Sequence, residues 1–126
     1  MEYAFQEKTA FYTAVQNEKI EIIQLLLNAK NIDVNIPYKI FYYKDGEWIA
    51  KLEKTAFNEA ADKENIEIIK TFLNRTKIDF NIPNKGEGKV DDALIAGAEK
   101  TAFYLAVDKE NIDIIQLLVI LPNIQN

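Results

Sequence analysis

A block of sequence returns at a fixed interval of 46 residues, and that recurrence limits the fold more than any single residue does. Lys8-Thr9-Ala10-Phe11 comes back as Lys54-Thr55-Ala56-Phe57 and again as Lys100-Thr101-Ala102-Phe103. A period of this size marks a stack of similar units, each of which buries its apolar surface against its neighbours. The reading is one domain over residues 1–126, in units of approximately 1–37, 38–83 and 84–126. Stacks of this kind mostly present surfaces that hold other molecules.

The first unit shows the pattern. Thr9 stands where a hydroxyl can accept from a free N–H of a first helical turn. Ala10 to Asn17 reads as a short helix, with Phe11, Ala14 and Val15 on one face. Glu18-Lys19 makes a turn, and a second helix runs from Ile20 to Asn28. That helix is apolar at Ile20, Ile22, Ile23, Leu25, Leu26 and Leu27, and polar only at Glu21, Gln24 and Asn28. A helix apolar over most of its circumference must be covered on more than one side, as an internal unit of a stack is. In the second copy Glu67, Lys70 and Asn74 repeat the polar stripe, and Asn65 and Asn111 are well placed to cap their helices. Ile32-Asp33-Val34-Asn35-Ile36-Pro37 and Ile78-Asp79-Phe80-Asn81-Ile82-Pro83 alternate apolar and polar residues before a proline, which predicts a short extended arm.

Two inserts separate these arms from the next threonine. In the first, Asp45-Gly46 lies between β-rich runs and signals a hairpin, because both residues tolerate positive φ. Folding there pairs Lys44 with Glu47, Tyr43 with Trp48, Tyr42 with Ile49 and Phe41 with Ala50. One face then shows Phe41, Tyr43 and Trp48, and the other Ile40, Tyr42 and Ile49. A two-stranded ribbon cannot bury both faces, so one is expected to rest on the neighbouring finger and the other to be open to a partner. In the second insert Leu94-Ile95-Ala96 answers Trp48-Ile49-Ala50, but the outgoing half holds Gly86 and Gly88 and reads as a looser, partly mobile loop. Tyr3-Ala4 answers Ile49-Ala50, so the chain opens on the return strand of a finger.

The order of elements resembles the ankyrin repeat. The resemblance lies in Thr9-Ala10-Phe11-Tyr12-Thr13-Ala14-Val15, in Ile20-Glu21-Ile22-Ile23-Gln24-Leu25-Leu26-Leu27 and in Asp33-Val34-Asn35, with matching offsets in the later copies. Family repeats run about 33 residues, and the additional length here falls where the family has its β-hairpin finger. The family proline is Ala10, Ala56 and Ala102, and the family histidine is Tyr12, Asn58 and Tyr104, which leaves the family's histidine hydrogen bond without its usual donor. The glycine that closes the family's first helix is Glu18, Glu64 and Glu110, each costing about 1 kcal/mol if it turns left-handed. The resemblance implies an all-α repeat solenoid, an ankyrin-type stack of helix pairs with elongated β-hairpin fingers. It also implies a non-catalytic protein–protein interaction module that meets its partner with fingertips and the concave side of the first helices. Those positions here are Tyr42, Tyr43, Asp45 and Trp48 on the finger. On the helices they are Thr13, Gln16, Asn17, Glu59, Asp62, Lys63, Leu105, Asp108 and Lys109.

Composition narrows the chemistry. The net charge is −5 with acids and bases interleaved, so nucleic acid is disfavoured and a protein partner with some basic character fits. There is no cysteine, hence no disulfide framework and no thiolate metal site, and an intracellular, cytoplasmic setting is expected. There is no histidine, which removes the commonest general base and neutral metal ligand, and no cofactor is expected. No apolar run reaches bilayer length, and Met1-Glu2-Tyr3-Ala4 carries no signal-peptide pattern. Gly86-Glu87-Gly88-Lys89 lacks the spacing of a phosphate loop and reads as a flexible loop. Asp91-Asp92 offers too few converging oxygens for a cation and reads as a solvated turn. The last helix ends apolar at Val119, Ile120 and Leu121, where a terminal unit normally turns polar, so the alternative function is a structural array that self-associates through this end, or a fragment of a larger repeat scaffold.

Overall fold

A computed structural model describes residues 2–29, 32–75, 78–90, 93–94 and 100–125. Three helix pairs appear among them: α1 (Ala10–Gln16) with α2 (Ile20–Leu27), α3 (Ala56–Asp62) with α4 (Ile66–Arg75), and α5 (Ala102–Asp108) with α6 (Ile112–Gln125). The first helices α1, α3 and α5 pack in one row and the second helices α2, α4 and α6 in another. Each first helix begins at the expected threonine. Thr9, Thr55 and Thr101 are extended, and their side chains accept from the N–H of Tyr12, Asn58 and Tyr104. Asn65 and Asn111 likewise accept from the N–H of Ile68 and Ile114 at the start of α4 and α6.

The expected all-α solenoid is corrected by a sheet that runs beside the helices. Strands β1 (Glu2–Glu7), β2 (Tyr38–Lys44), β3 (Glu47–Lys54) and β4 (Lys85–Val90) form one antiparallel sheet, and the two-residue β5 (Ala93–Leu94) pairs with β4. The fingers meet edge to edge rather than face to face, because an unpaired strand edge exposes hydrogen-bonding groups that a neighbouring finger can satisfy. β1 pairs with the outgoing strand of the first finger, and the return strand of that finger pairs with β4. The sheet therefore joins the units just as the helix rows do.

The hairpin turn is as expected, with Asp45 and Gly46 at φ 52° and 80°. Lys44 faces Glu47 and Tyr43 faces Trp48, but a bulge follows: Tyr42 lies opposite Ala50 and Phe41 opposite Lys51. Ile49 is the additional residue, which moves Tyr42, Ala50, Ile40 and Leu52 to one face. There Ala50 and Leu52 form a small apolar cluster joined by Ile40, Tyr42 and Ile49. Gly86 and Gly88 lie in strand β4, paired opposite Leu52 and Ala50, not in a loose loop. Gly88 has φ 80°, and a Cβ there would fall onto the carbonyl oxygen of the bulged Ile49. The finger thus needs glycine at this position. Asp91, Asp92 and the segment 95–99, where the solvated turn and the return half of the second finger were expected, lie outside the described residues.

The expected extended arms are tight turns instead. The Asp33 carboxylate accepts from the N–H of Asn35, and Asp79 does the same for Asn81. An aspartate closing its own turn competes well with an extended backbone.

The main core runs through all three units. Phe11 of the first packs on Phe72 of the second at 5.3 Å, Phe72 on Phe57 at 5.3 Å, Phe57 on Phe80 at 6.3 Å, and Phe80 on Phe103 of the third at 6.2 Å. Polar links reinforce the same joins. Glu18, Glu64 and Glu110 do turn left-handed, at φ 55°, 56° and 55°. Asn65 Nδ2 donates to Glu18 Oε1 at 2.9 Å, and Asn111 Nδ2 donates to Glu64 Oε1 at 3.1 Å. A residue that strains one turn therefore anchors the next unit.

The two glycines at φ 80° separate backbone strain from a clash. Gly46→Ala meets open space and should cost about 1 kcal/mol, the left-handed penalty alone. Gly88→Ala adds the collision with the Ile49 carbonyl and should cost about 2–3 kcal/mol, read as a lower urea midpoint at unchanged m-value.

Candidate functional site

The first and second units differ at one paired position, and that difference shapes the surface. In the first unit the Tyr12 ring stacks on Tyr38, with centroids 4.7 Å apart and planes at 26°. The Tyr12 hydroxyl donates to Glu59 Oε2 of the second unit at 2.6 Å. Lys8 Nζ sits 5.5 Å from the centre of the Tyr38 ring. Burial first, then the hydrogen bond to Glu59 and its negative charge, holds the Tyr12 phenol well above the ordinary tyrosine range. Burial, with Tyr42 and Glu59 nearby, also pushes Tyr38 up.

In the second unit the same two positions are Asn58 and Asn84, both buried. Amide pairing replaces ring stacking. Asn58 Nδ2 lies 3.0 Å from the Ile82 carbonyl, 3.1 Å from Asn84 Oδ1 and 3.2 Å from the Lys100 carbonyl. The Thr55 N–H also donates to Asn84 Oδ1, at 3.1 Å. An amide thus links this first helix to the neighbouring loop. Asn58 Oδ1 finds no hydrogen-bond partner among the described residues. Two amides occupy less volume than two phenol rings, and a cavity of about 240 Å³ opens beside them. It is lined by Lys54, Asn58, Glu59, Asp62, Asn84, Lys100 and Leu105.

This cavity brings together three residues named from the sequence: Glu59 and Asp62 from α3 and Leu105 from α5. Lys109 reaches Asp62 at 3.6 Å, joining a fourth to its rim. Leu105 is buried, whereas Asn17, Lys63 and Asp108 are exposed at the ends of their helices, and Thr13 and Gln16 are half-buried. Gln16 Oε1 accepts from Lys8 Nζ at 3.3 Å. On the finger, Trp48 is 46% exposed and Asp45 sits at the exposed tip. Tyr43 is half-buried beside Trp48, and Tyr42 packs in the small apolar cluster of the sheet. Sequence reasoning missed Asn58, Asn84, Lys54 and Lys100. The signal was present, since Tyr12 and Tyr38 change together to Asn58 and Asn84 one period later.

A larger groove of about 500 Å³ lies on the other row, between α4 and α6, lined by Ile66, Lys70, Asp113, Gln116, Leu117 and Ile120. Among the described residues no group of three His, Cys, Asp or Glu side chains converges as metal ligands would. Among the same residues no helix is long and apolar enough to cross a membrane.

Residues 7–36 match the family model described as ankyrin repeat. The match spans α1, α2 and the Asp33 turn, and the later units carry the same caps and turns at 46-residue steps. No curated protein and no solved structure matches the chain significantly. An ankyrin repeat is, in general, a non-catalytic scaffold for binding other proteins.

The phenol of Tyr12 supplies a pH test. The unfolded chain releases this proton near pH 10, while the folded chain holds it higher. The contribution is therefore complete below pH 10 and is lost as pH rises above that value. Tyr12→Phe should lower stability by about 1–2 kcal/mol at neutral pH. It should also flatten part of the alkaline fall in stability, measured by urea unfolding at a series of pH values.

Proposed function

We propose that this chain is a non-catalytic binding scaffold, one domain over residues 1–126, that holds a partner protein along its fingertip and first-helix side. The observation that carries this reading is the cavity between α3 and α5, where carboxylates from one unit, an apolar side chain from the next and two lysines beside their N-caps converge. Glu59 and Asp62 suit a basic side chain of the partner, Leu105 its apolar stem, and Asn58 and Asn84 set the polar floor. Trp48 and Tyr43 at the finger supply aromatic area of the kind that anchors interfaces. Thr13, Gln16, Asn17, Lys63, Asp108 and Lys109 extend the same surface along the row. An intracellular, cytoplasmic setting belongs to this reading and is supported by a sequence without cysteine.

A second reading is favoured by the apolar end of the stack. Val119 and Ile120 are 48% and 50% exposed, and the side chain of Leu121 lies outside the described ones. Self-association through this end is the function it supports.

The finger and the cavity are tested separately from the fold. Tyr42 is left intact because it packs inside the sheet. Tyr43→Ala with Trp48→Ala should lower affinity for a partner isolated from the source cell by about tenfold or more, with an unchanged circular dichroism spectrum. Equal affinity for the double variant would remove the finger from the binding surface.

A further inference from the structure

Five side-chain links across the joins follow one rule, each connecting a residue to the one 47 positions later: Glu18 to Asn65, Glu64 to Asn111, Tyr12 to Glu59, Asn28 to Arg75, Asp62 to Lys109. The rule has a third step at each position. Glu110 is the third member of the Glu18, Glu64 series, left-handed at φ 55° and exposed. On the receiving side, Lys19 is the first member of the Asn65, Asn111 series. It stands at the N-cap of α2, makes no side-chain capping bond, and is exposed.

The apolar surface follows the same logic. At the far end Val107 and Ile112 are 56% and 67% exposed. Their equivalents Val15 and Ala61 are fully buried, and Ile20 and Ile66 are half-buried, because a following unit covers them. At the near end Ile22 and Leu25 are 48% and 72% exposed, while Ile68, Ile114 and Thr71, which have a unit before them, are buried.

We propose that a second copy of this chain docks its first unit on the third unit of the copy before it, head to tail, with Lys19 of one meeting Glu110 of the other. This rests on the self-association reading and specifies its geometry. The join repeats the internal one with an ion pair in place of the Asn–Glu bond. One period on, Asp108 faces Asn17 where Asp62 faces Lys109, and Ile120 faces Ala29 where Asn28 faces Arg75. Unlike charges meet, hydrogen-bonding partners meet, and the one place where the polar link is lost is apolar on both sides. The contact uses two different patches of the molecule, so it is heterologous, and each added copy leaves a free patch for the next. Association is therefore open-ended rather than stopped at a dimer.

Sedimentation of the full chain over a concentration series tests this. Wild type should grow beyond dimer as concentration rises. Lys19→Glu alone, or Glu110→Lys alone, should weaken the step by about tenfold or more at low salt, and the two reversals combined in one chain should restore it. Leu25→Lys and Val107→Lys alter exposed positions, one at each end, and each alone should be monomeric. Mixed one to one they should give a species of two chains and no larger, because only one competent head and one competent tail remain. Wild type that stays monomeric at high concentration overturns both the geometry and the self-association reading. Association that survives the charge reversals, or a mixture that stays monomeric, overturns the head-to-tail geometry while self-association by another face stands.

Discussion

The constraint on which the rest depends is the one-residue offset between successive units. Each unit sits against the next so that a side chain meets the residue one period and one position further on. The side-chain links from Glu18 to Asn65, from Glu64 to Asn111 and from Tyr12 to Glu59 obey this register. The strain at Glu18 and Glu64 belongs to it. A glycine would close those turns more cheaply, but only a side chain can reach the asparagine that caps the next second helix. One residue type therefore terminates one helix and fixes the start of another in the neighbouring unit.

The sheet supplies a second tie between units. Fingers of this length would be marginal as isolated hairpins. Pairing edge to edge turns them into a sheet whose strands bridge from one unit to the next, with a bulge at Ile49 and a glycine beneath it setting the register. The cavity between α3 and α5 has walls from a finger base, two first helices and the following loop, and none of these is held by a single element. Two stacked phenols stand at the corresponding positions one period earlier, where two paired amides stand beside the cavity.

Much of this was legible in the sequence. The threonine and asparagine caps, the Asp45-Gly46 turn and the three helix pairs follow from local chemistry that repeats, and the structure places each of them so. What was not legible depended on contacts between distant segments. The bulge at Ile49 brings Ala50 and Leu52 onto the face of Ile40 and Tyr42, and no local preference of Trp48-Ile49-Ala50 announces it. Edge pairing of the fingers could not be read from either finger alone. Asp33 and Asp79 alternate with apolar residues as in an extended arm, yet their carboxylates close turns two residues on. The cavity was partly legible: Glu59, Asp62 and Leu105 followed from the repeat pattern, whereas Asn58 and Asn84 required comparing one unit with the next.

The stacking of the units is tested most directly by proton–proton Overhauser contacts between assigned aromatic rings in solution. The Phe11 ring should show cross-peaks to Phe72 of the following unit, with which its centroid lies at 5.3 Å, and the Tyr12 ring to Tyr38 at 4.7 Å. Phe11 contacts confined to its own unit, with none to Phe72, would contradict the stacking on which the whole description stands.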